Sequence, residues 1–142
     1  MRIKEKRLLR GPNVYAATPC LMAVVENRAI KGRGFAARLL ELLPALPKQA
    51  AARLADDVLL VDALEPVVME LQRLAGAAGE HSATFDVSGQ PQRRRVVCAY
   101  AIEQVAEQAL ESAIALLDAL AQGQAYDLEA ALAALRETAE DH

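Results

Sequence analysis

The sequence has few of the residues on which metal sites and disulfide scaffolds depend. It contains no tryptophan, and aromatic residues make up only 4% of its 142 positions. Its two cysteines, Cys20 and Cys98, stand in separate apolar stretches without CxxC spacing, which favours buried, reduced thiols over a disulfide. Because His81 and His142 are the only histidines, a histidine-based metal site or a Ser/His/Asp triad is not expected. We therefore expect no cofactor and no bound metal.

Long apolar runs and a secretory signal are also missing. No uncharged apolar segment approaches the ~18–20 residues that a membrane span needs. The basic segment at residues 1–12 is not followed by the apolar region of a signal peptide. A sequence pI of about 5.4 and the scarcity of aromatic stacking platforms argue against nucleic acid as a partner. We expect a cytoplasmic chain without membrane or nucleic-acid partners.

The composition is that of one globular domain spanning residues 1–142. Hydrophobic residues make up 54% and charged residues 25%, which excludes a disordered chain. The charge is unevenly distributed, since residues 1–38 hold nine basic and two acidic side chains, whereas residues 101–142 hold nine acidic side chains against Arg136. This asymmetry has two interpretations: surfaces for a charged partner, or a basic sheet edge docked beside an acidic helix.

Hydrophobic patterning predicts an α+β fold. Strands are expected at residues 2–9 and 21–26, and again at 82–87 and 95–100, where Ala83, Phe85 and Val87 alternate with polar residues around a turn at 88–91. Helices are predicted at 35–43, 49–60, 101–121 and after Asp127, and one that begins at Asp62 with Glu65 at the capping-box position. The expected architecture is a small antiparallel sheet of two strand pairs against several helices.

The longest predicted helix carries one apolar stripe, which we expect to be buried against the sheet. The stripe follows the helical period along residues 101–121, with acidic residues on the opposite side. Its main members are Ile102, Val105, Ala109, Ile114 and Leu117.

Motifs with a defined chemistry are scarce. The sequence has neither a GxxxxGK[ST] phosphate loop nor a GxGxxG fingerprint, and the lone GxG at Gly32 and Gly34 is typical of a flexible connection. The densest basic cluster is the run of three arginines at 93–95. Strand alternation predicts that Arg93 and Arg95 share one face and that Arg94 lies on the other. No set of residues predicts a catalytic mechanism.

Three strings in a fixed order resemble a known family. They are LRGPN at residues 9–13, LLPAL at 42–46 and ELQRLAG at 70–76, followed by a hairpin whose second strand leads into a long acidic helix. In this order and spacing, over residues 3–135, the chain resembles the N-terminal domain of cyanophycin synthetase, the multi-L-arginyl-poly-L-aspartate synthetase family. Family members continue into ATP-grasp and Mur-ligase-like domains, which add aspartate and arginine to the polymer with ATP. This sequence contains neither, so we expect an excised domain or a stand-alone homologue.

The resemblance implies a role in holding the polymer or organising the synthetase, without catalysis by this chain. Implied partners are the arginyl-aspartate polymer, the two ligase domains of a parent or partner synthetase, and a second copy of the chain. Each polymer unit presents a guanidinium and a carboxylate, which both acidic and basic protein groups can engage. The candidate polymer-binding residues are Arg10, Arg28, Lys31, Arg33, Arg93, Arg94 and Arg95.

One departure from the family bears on an alternative function. Some members carry HxxEH just before the ELQxLAG string, a spacing that resembles a zinc metallopeptidase acting on the polymer. In this sequence the pattern falls on residues 62–66, where Glu65 is retained but Asp62 and Pro66 replace both histidines. Since proline has no ligating side chain, the motif is degenerate, and we interpret Glu65 as a helix-capping carboxylate. A residual peptidase and a purely structural or oligomerisation domain remain the alternatives.

Overall fold

The computed structural model describes residues 1–27, 34–47 and 59–142. Along the chain, strands β1 (Arg2–Leu9) and β2 (Cys20–Glu26) precede helix α1 (Phe35–Leu42). A short 3₁₀ helix (Leu60–Ala63) leads into α2 (Leu64–Leu74). The hairpin strands β3 (Ser82–Asp86) and β4 (Arg93–Ala99) follow, and then the helices α3 (Glu103–Ala121) and α4 (Leu128–Glu140). The predicted α+β class is confirmed.

The four strands form one antiparallel sheet in the order β1-β2-β4-β3. Both predicted strand pairs exist, but they are joined because β2 also pairs with β4, with Leu21 opposite Cys98 and Glu26 opposite Arg93. The prediction of two pairs is therefore refined to a single four-stranded sheet. The two central strands carry the most buried residues, since each has a neighbour on both sides.

The main core lies between the sheet and the helices. Leu21, Val25 and Val96 project from the sheet into this core. Helix α3 supplies Leu110 and Leu117, which are at most 1% exposed, and packs most extensively against α2 and α4. The prediction that the α3 stripe packs against the sheet is therefore corrected, because its neighbours are mainly helices.

The second correction concerns two members of that stripe. Ile102 and Ile114 are only half-buried, because they lie at the margin of the contact and not at its centre. Val105, Ala109 and Leu117 are fully buried, as predicted.

The other face of the sheet carries a second, smaller apolar cluster. Met22, Val24 and Val97 lie there, none more than 6% exposed, with Leu9 and Val87 packed beside them. Because this face lies opposite the helices, we call it the outer face. The central strands are thus apolar on both sides, which explains why β2 is a continuous apolar run.

Strand β3 is oriented differently from the simplest interpretation of its pattern. Its polar residues Ser82 and Thr84 face the helices, where both hydroxyls donate to Glu65. Its apolar residues Ala83 and Phe85 therefore lie on the outer face, and Phe85 is 42% exposed. The alternation correctly predicted the strand. Its polar side faces the helices because Ser82 and Thr84 hydrogen-bond to the buried carboxylate of Glu65.

The remaining helices largely follow their sequence signals. Asp127 caps α4, its carboxylate accepting from the backbone N–H of Ala130 at 3.0 Å, as predicted. The helix predicted over residues 49–60 lies outside the described residues except at its last two positions. Within the described ranges, no helix is long and apolar enough to cross a membrane.

The charge asymmetry has an intramolecular counterpart. Basic β1 lies beside acidic α3. The Lys6 ammonium is 3.0 Å from the Glu107 carboxylate, and the N-terminal ammonium of Met1 is 2.7 Å from the Asp118 carboxylate. The interpretation of a basic sheet edge docked beside an acidic helix is therefore confirmed. These ion pairs orient the edge strand against α3. They contribute little to the free energy of folding, because most are solvent-exposed.

The two cysteines lie on opposite faces of the sheet. Cys20 is opposite Ala99 on the outer face, whereas Cys98 is opposite Leu21 in the main core. Both are free, buried thiols, which confirms the expectation, and burial raises the pKa of each. Side chains on opposite faces of a sheet cannot form a disulfide with each other.

Candidate functional site

The first candidate residue, Arg10, is engaged by the chain itself. Its guanidinium makes a bidentate pair with Glu103 at the start of α3, with both N–O distances 2.8 Å. The hydrogen bond from Arg10 lowers the pKa of the Glu103 carboxyl. The Tyr100 hydroxyl lies 3.4 Å from the same carboxylate, and burial together with this negative charge raises the pKa of Tyr100. Arg10 therefore ties the end of β1 to α3.

Two arginines of the 93–95 cluster also pair with acidic residues. Arg94 points to the helix side, where its Nε is 3.0 Å from Asp62 and 3.5 Å from Asp86, and it donates to the backbone carbonyls of Pro91 and Arg93. Arg93 lies 3.8 Å from Glu26 on the neighbouring strand. The predicted alternation of the cluster over the two faces is confirmed.

Arg95 differs from its two neighbours. It lies half-buried on the outer face, opposite Val24 in β2 and Phe85 in β3. Within residues 1–27, 34–47 and 59–142, no acidic side chain forms an ion pair with it. Its guanidinium is therefore the member of the cluster with unused capacity for a carboxylate.

The structure does not bring all the candidate basic residues together. Arg10 follows Leu9, whose partner on β2 is Cys20, whereas Arg93 is opposite Glu26. These positions are six residues apart on one strand, which corresponds to about 20 Å. The other three candidates, Arg28, Lys31 and Arg33, lie outside the described residues. Polymer contact by these residues stays a prediction.

The sequence did not predict an aromatic pair formed by Tyr15 and Phe85, of which Phe85 is the cross-strand partner of Arg95. The rings of Tyr15 and Phe85 lie with centroids 5.8 Å apart on the outer face, and they line a cavity of about 190 Å³ together with residues that include Cys20. Tyr15 comes from the loop between β1 and β2, and Phe85 from β3, 70 positions later. The only sequence signals were an apolar residue in a turn and an aromatic residue in a strand, and neither reveals the contact.

Asn13, in the LRGPN string, holds this loop in place. Its amide nitrogen donates to the carbonyls of Gly11 and Thr18, and its Oδ1 accepts from the backbone N–H groups of Tyr15 and Ala16. Gly11 has a φ of 81°, a left-handed conformation that favours glycine. The string thus builds a turn that fixes the position of Tyr15.

The degenerate metallopeptidase positions have structural roles. Glu65 accepts from Ser82 at 2.8 Å and from Thr84 at 2.9 Å, and α2 has no side-chain cap. The interpretation of Glu65 as a helix-capping carboxylate is therefore wrong, because the side chain crosses to β3. Asp62 lies in the 3₁₀ helix and pairs with Arg94, and Pro66 is buried in the first turn of α2.

Glu65 and Pro66 border a cavity of about 330 Å³, which Ser82 of β3 also lines. A second carboxylate there, Glu70, accepts from both Nε and Nη2 of Arg73 at 2.6 and 2.9 Å. Both carboxylates accept hydrogen bonds from the chain, an arrangement typical of structural links. Across the described residues, no three histidine, cysteine or acidic side chains cluster in a way that could hold a metal ion.

The fold and site define an α+β domain with several paired surface charges, an arginine cluster in which Arg95 has no acidic partner among the described residues, and an exposed aromatic pair. Residues 21–122 match the family described as the cyanophycin synthase-like N-terminal domain. Since this match covers more than half of the chain, the chain belongs to that family, and the resemblance inferred from the three strings is confirmed. No curated protein matches the chain.

Proposed function

We propose that the chain is a non-catalytic domain that binds arginyl-aspartate polymer on behalf of a cyanophycin-synthetase-like ligase. Its partners in this role are the polymer and the ATP-grasp and Mur-ligase-like domains of that enzyme. Membership of the family supports the link to the polymer, because the family description names the synthase. The domain would hold the polymer near the ligase sites and carry out no bond chemistry itself.

The observation that carries the proposal is the state of Arg95. An arginine that is half-buried beside apolar side chains, with no acidic partner in the described part of the chain, retains donors for an incoming carboxylate. Every unit of an arginyl-aspartate polymer carries such a carboxylate. A single exposed pair contributes only about 0–1 kcal/mol, so useful affinity requires the many repeated units that a polymer supplies.

The peptidase alternative has less support. Two positions that would carry the zinc-binding histidines are Asp62 and Pro66, and the first is already paired with Arg94. Glu65, the position of the general base, is hydrogen-bonded to two hydroxyls of β3 and is 6% exposed. A general base needs access to a water molecule and a metal to activate it, and this carboxylate instead links two elements of the fold.

The test is a titration of soluble arginyl-aspartate polymer into the chain and two matched variants. Arg95→Gln removes one cation from the outer face, and we expect the affinity to fall by about three- to five-fold. Arg136→Gln removes one cation from α4, where the side chain is exposed and donates to the Leu74 carbonyl, and should change little. Equal effects of the two substitutions would mean that only net charge matters, and would contradict a site at Arg95.

A further inference from the structure

We propose that Tyr15, Phe85 and Arg95 form a subsite for one arginyl group of the polymer. The two rings would contact the guanidinium, and Arg95 would pair with the carboxylate of the same group. This inference rests on the proposed function and specifies its ligand chemistry.

The aromatic pair is exposed although the chain has few aromatic residues. The sequence contains two phenylalanines and three tyrosines, and Phe85 and Tyr15 remain 42% and 37% exposed. The neighbouring Val14 is 91% exposed. Large apolar side chains that cluster at the surface around a cavity mark a place where a ligand binds.

The subsite is organised before any ligand arrives. The Asn13 side chain donates two hydrogen bonds and accepts two, which fix the loop that carries Tyr15, and Phe85 lies on a strand paired with β4. Rings held in this way lose little conformational entropy on binding, which favours even a weak ligand.

Arg95 is correctly placed to act together with the rings. It is the cross-strand partner of Phe85 in the β3–β4 register, so both side chains project from the outer face. Side chains of such a pair have Cβ atoms about 5 Å apart. An arginyl group carries its guanidinium and its carboxylate at opposite ends of a flexible side chain, so one group can contact a ring with one end and Arg95 with the other.

The chemistry of the three side chains selects this ligand over simpler ones. The face of an aromatic ring attracts a cation, and the planar guanidinium also stacks on it. The Arg95 guanidinium repels a cation and pairs with a carboxylate in a bidentate manner. A group that carries only a positive or only a negative charge satisfies half of the subsite. A zwitterionic arginyl group, whose α-amino group is acylated as in the polymer, satisfies both halves.

Small probes test the recognition of each charge. Nα-acetyl-arginine has the acylated amino group, the carboxylate and the guanidinium of one polymer unit. Nα-acetyl-citrulline lacks the positive charge, and Nα-acetyl-argininamide lacks the negative charge. In NMR titrations of the whole chain we expect Nα-acetyl-arginine to bind at least about five-fold more tightly than either analogue. Equal binding of Nα-acetyl-citrulline would overturn the role of the rings.

A double variant tests the rings in the presence of the polymer. Tyr15→Leu with Phe85→Leu keeps apolar side chains of similar reach but removes the aromatic faces. We expect polymer affinity to fall about five- to thirty-fold. The matched control is Leu40→Ala, which truncates an apolar side chain that is 41% exposed on α1 and should leave affinity unchanged.

The outcomes separate this inference from the proposed function. If the unmodified chain binds polymer and the double variant binds it equally well, the subsite is wrong while polymer binding stands. If the unmodified chain binds no polymer, both are wrong. Protection of the buried Cys20 thiol from a thiol reagent reports whether the outer face of each variant is still folded, because Cys20 is 1% exposed and lines the same cavity.

Discussion

The hydrogen bonds between Glu65 and β3 give the sharpest prediction about stability. The double substitution Ser82→Ala and Thr84→Val removes both hydroxyl donors and keeps the volume nearly constant. Glu65 is 6% exposed, so its carboxylate cannot regain these bonds from bulk water without rearrangement. A hydrogen bond to a charged group contributes about 1.5–3 kcal/mol, so we expect the free energy of unfolding to fall by about 3–5 kcal/mol.

Urea denaturation followed by far-UV circular dichroism measures this change. The denaturant dependence should stay constant while the midpoint falls, since the buried surface is unaltered. Ser88→Ala, in the exposed hairpin turn, is the matched control and should lie within about 0.5 kcal/mol of the unmodified chain. A double variant within the same range would refute the assignment of Glu65 as a buried link between α2 and β3.

A third substitution separates the cost of an unsatisfied buried charge from the cost of altered packing around Ser82 and Thr84. Adding Glu65→Met to the double variant removes the buried charge together with its former donors. Replacing both partners of a hydrogen bond by apolar groups is often nearly neutral, so the triple variant should be more stable than the double variant. A triple variant less stable than the double variant would show that Glu65 stabilises the fold through contacts other than these two hydrogen bonds.

Three further predictions concern the core, the acid limit and metal content. Leu117 is fully buried and Ile114 is half-buried, so Leu117→Ala should destabilise the chain by about 3–5 kcal/mol and Ile114→Ala by less than half of that. Equal losses of stability in denaturant titrations would contradict this packing. The pKa of Glu103 is lowered in the folded chain, so its ion pair stabilises the fold above the ordinary glutamate pKa and this stabilisation is lost as pH falls through the lowered pKa. Glu103→Gln should therefore make the free energy of unfolding depend less on pH in the acid range. An unchanged dependence on pH would contradict this role of Glu103. Elemental analysis should find no stoichiometric zinc, and zinc should elicit no polymer cleavage; either observation would revive the peptidase alternative.

The elements of this fold were largely predictable because their signals are local. Alternation and helical periodicity placed the four strands and the long helix α3, and Asp127 marked the start of α4. These signals depend on residues a few positions apart, which is the range over which secondary structure is specified.

The orientation of β3 and the role of Glu65 could not be predicted in the same way. The capping-box spacing suggested a bond within the first turn of α2, but the donors are Ser82 and Thr84, 17 and 19 positions further along the chain. A carboxylate buried against a strand satisfies its oxygens with whatever donors the tertiary structure supplies. Sequence spacing contains no information about such a partner.

The candidate site shows the same limit. The arginine cluster and its alternation were visible in the sequence, but which arginine retains unused donors depends on acids at positions 26, 62 and 86. The contact of Tyr15 with Phe85 joins a loop to a strand 70 positions away. Only the three-dimensional structure brings Arg95 and the two rings onto one face of the sheet.

A binding isotherm decides whether this domain binds arginyl-aspartate polymer. Fluorescence anisotropy of labelled soluble polymer should rise saturably as the unmodified chain is added at low salt. The affinity should weaken at moderate salt, because exposed charge pairs are screened over about 8–10 Å. Unmodified poly-aspartate, which lacks the arginyl groups, should bind more weakly. Absence of binding at low salt, or equal affinity for poly-aspartate, would contradict the account.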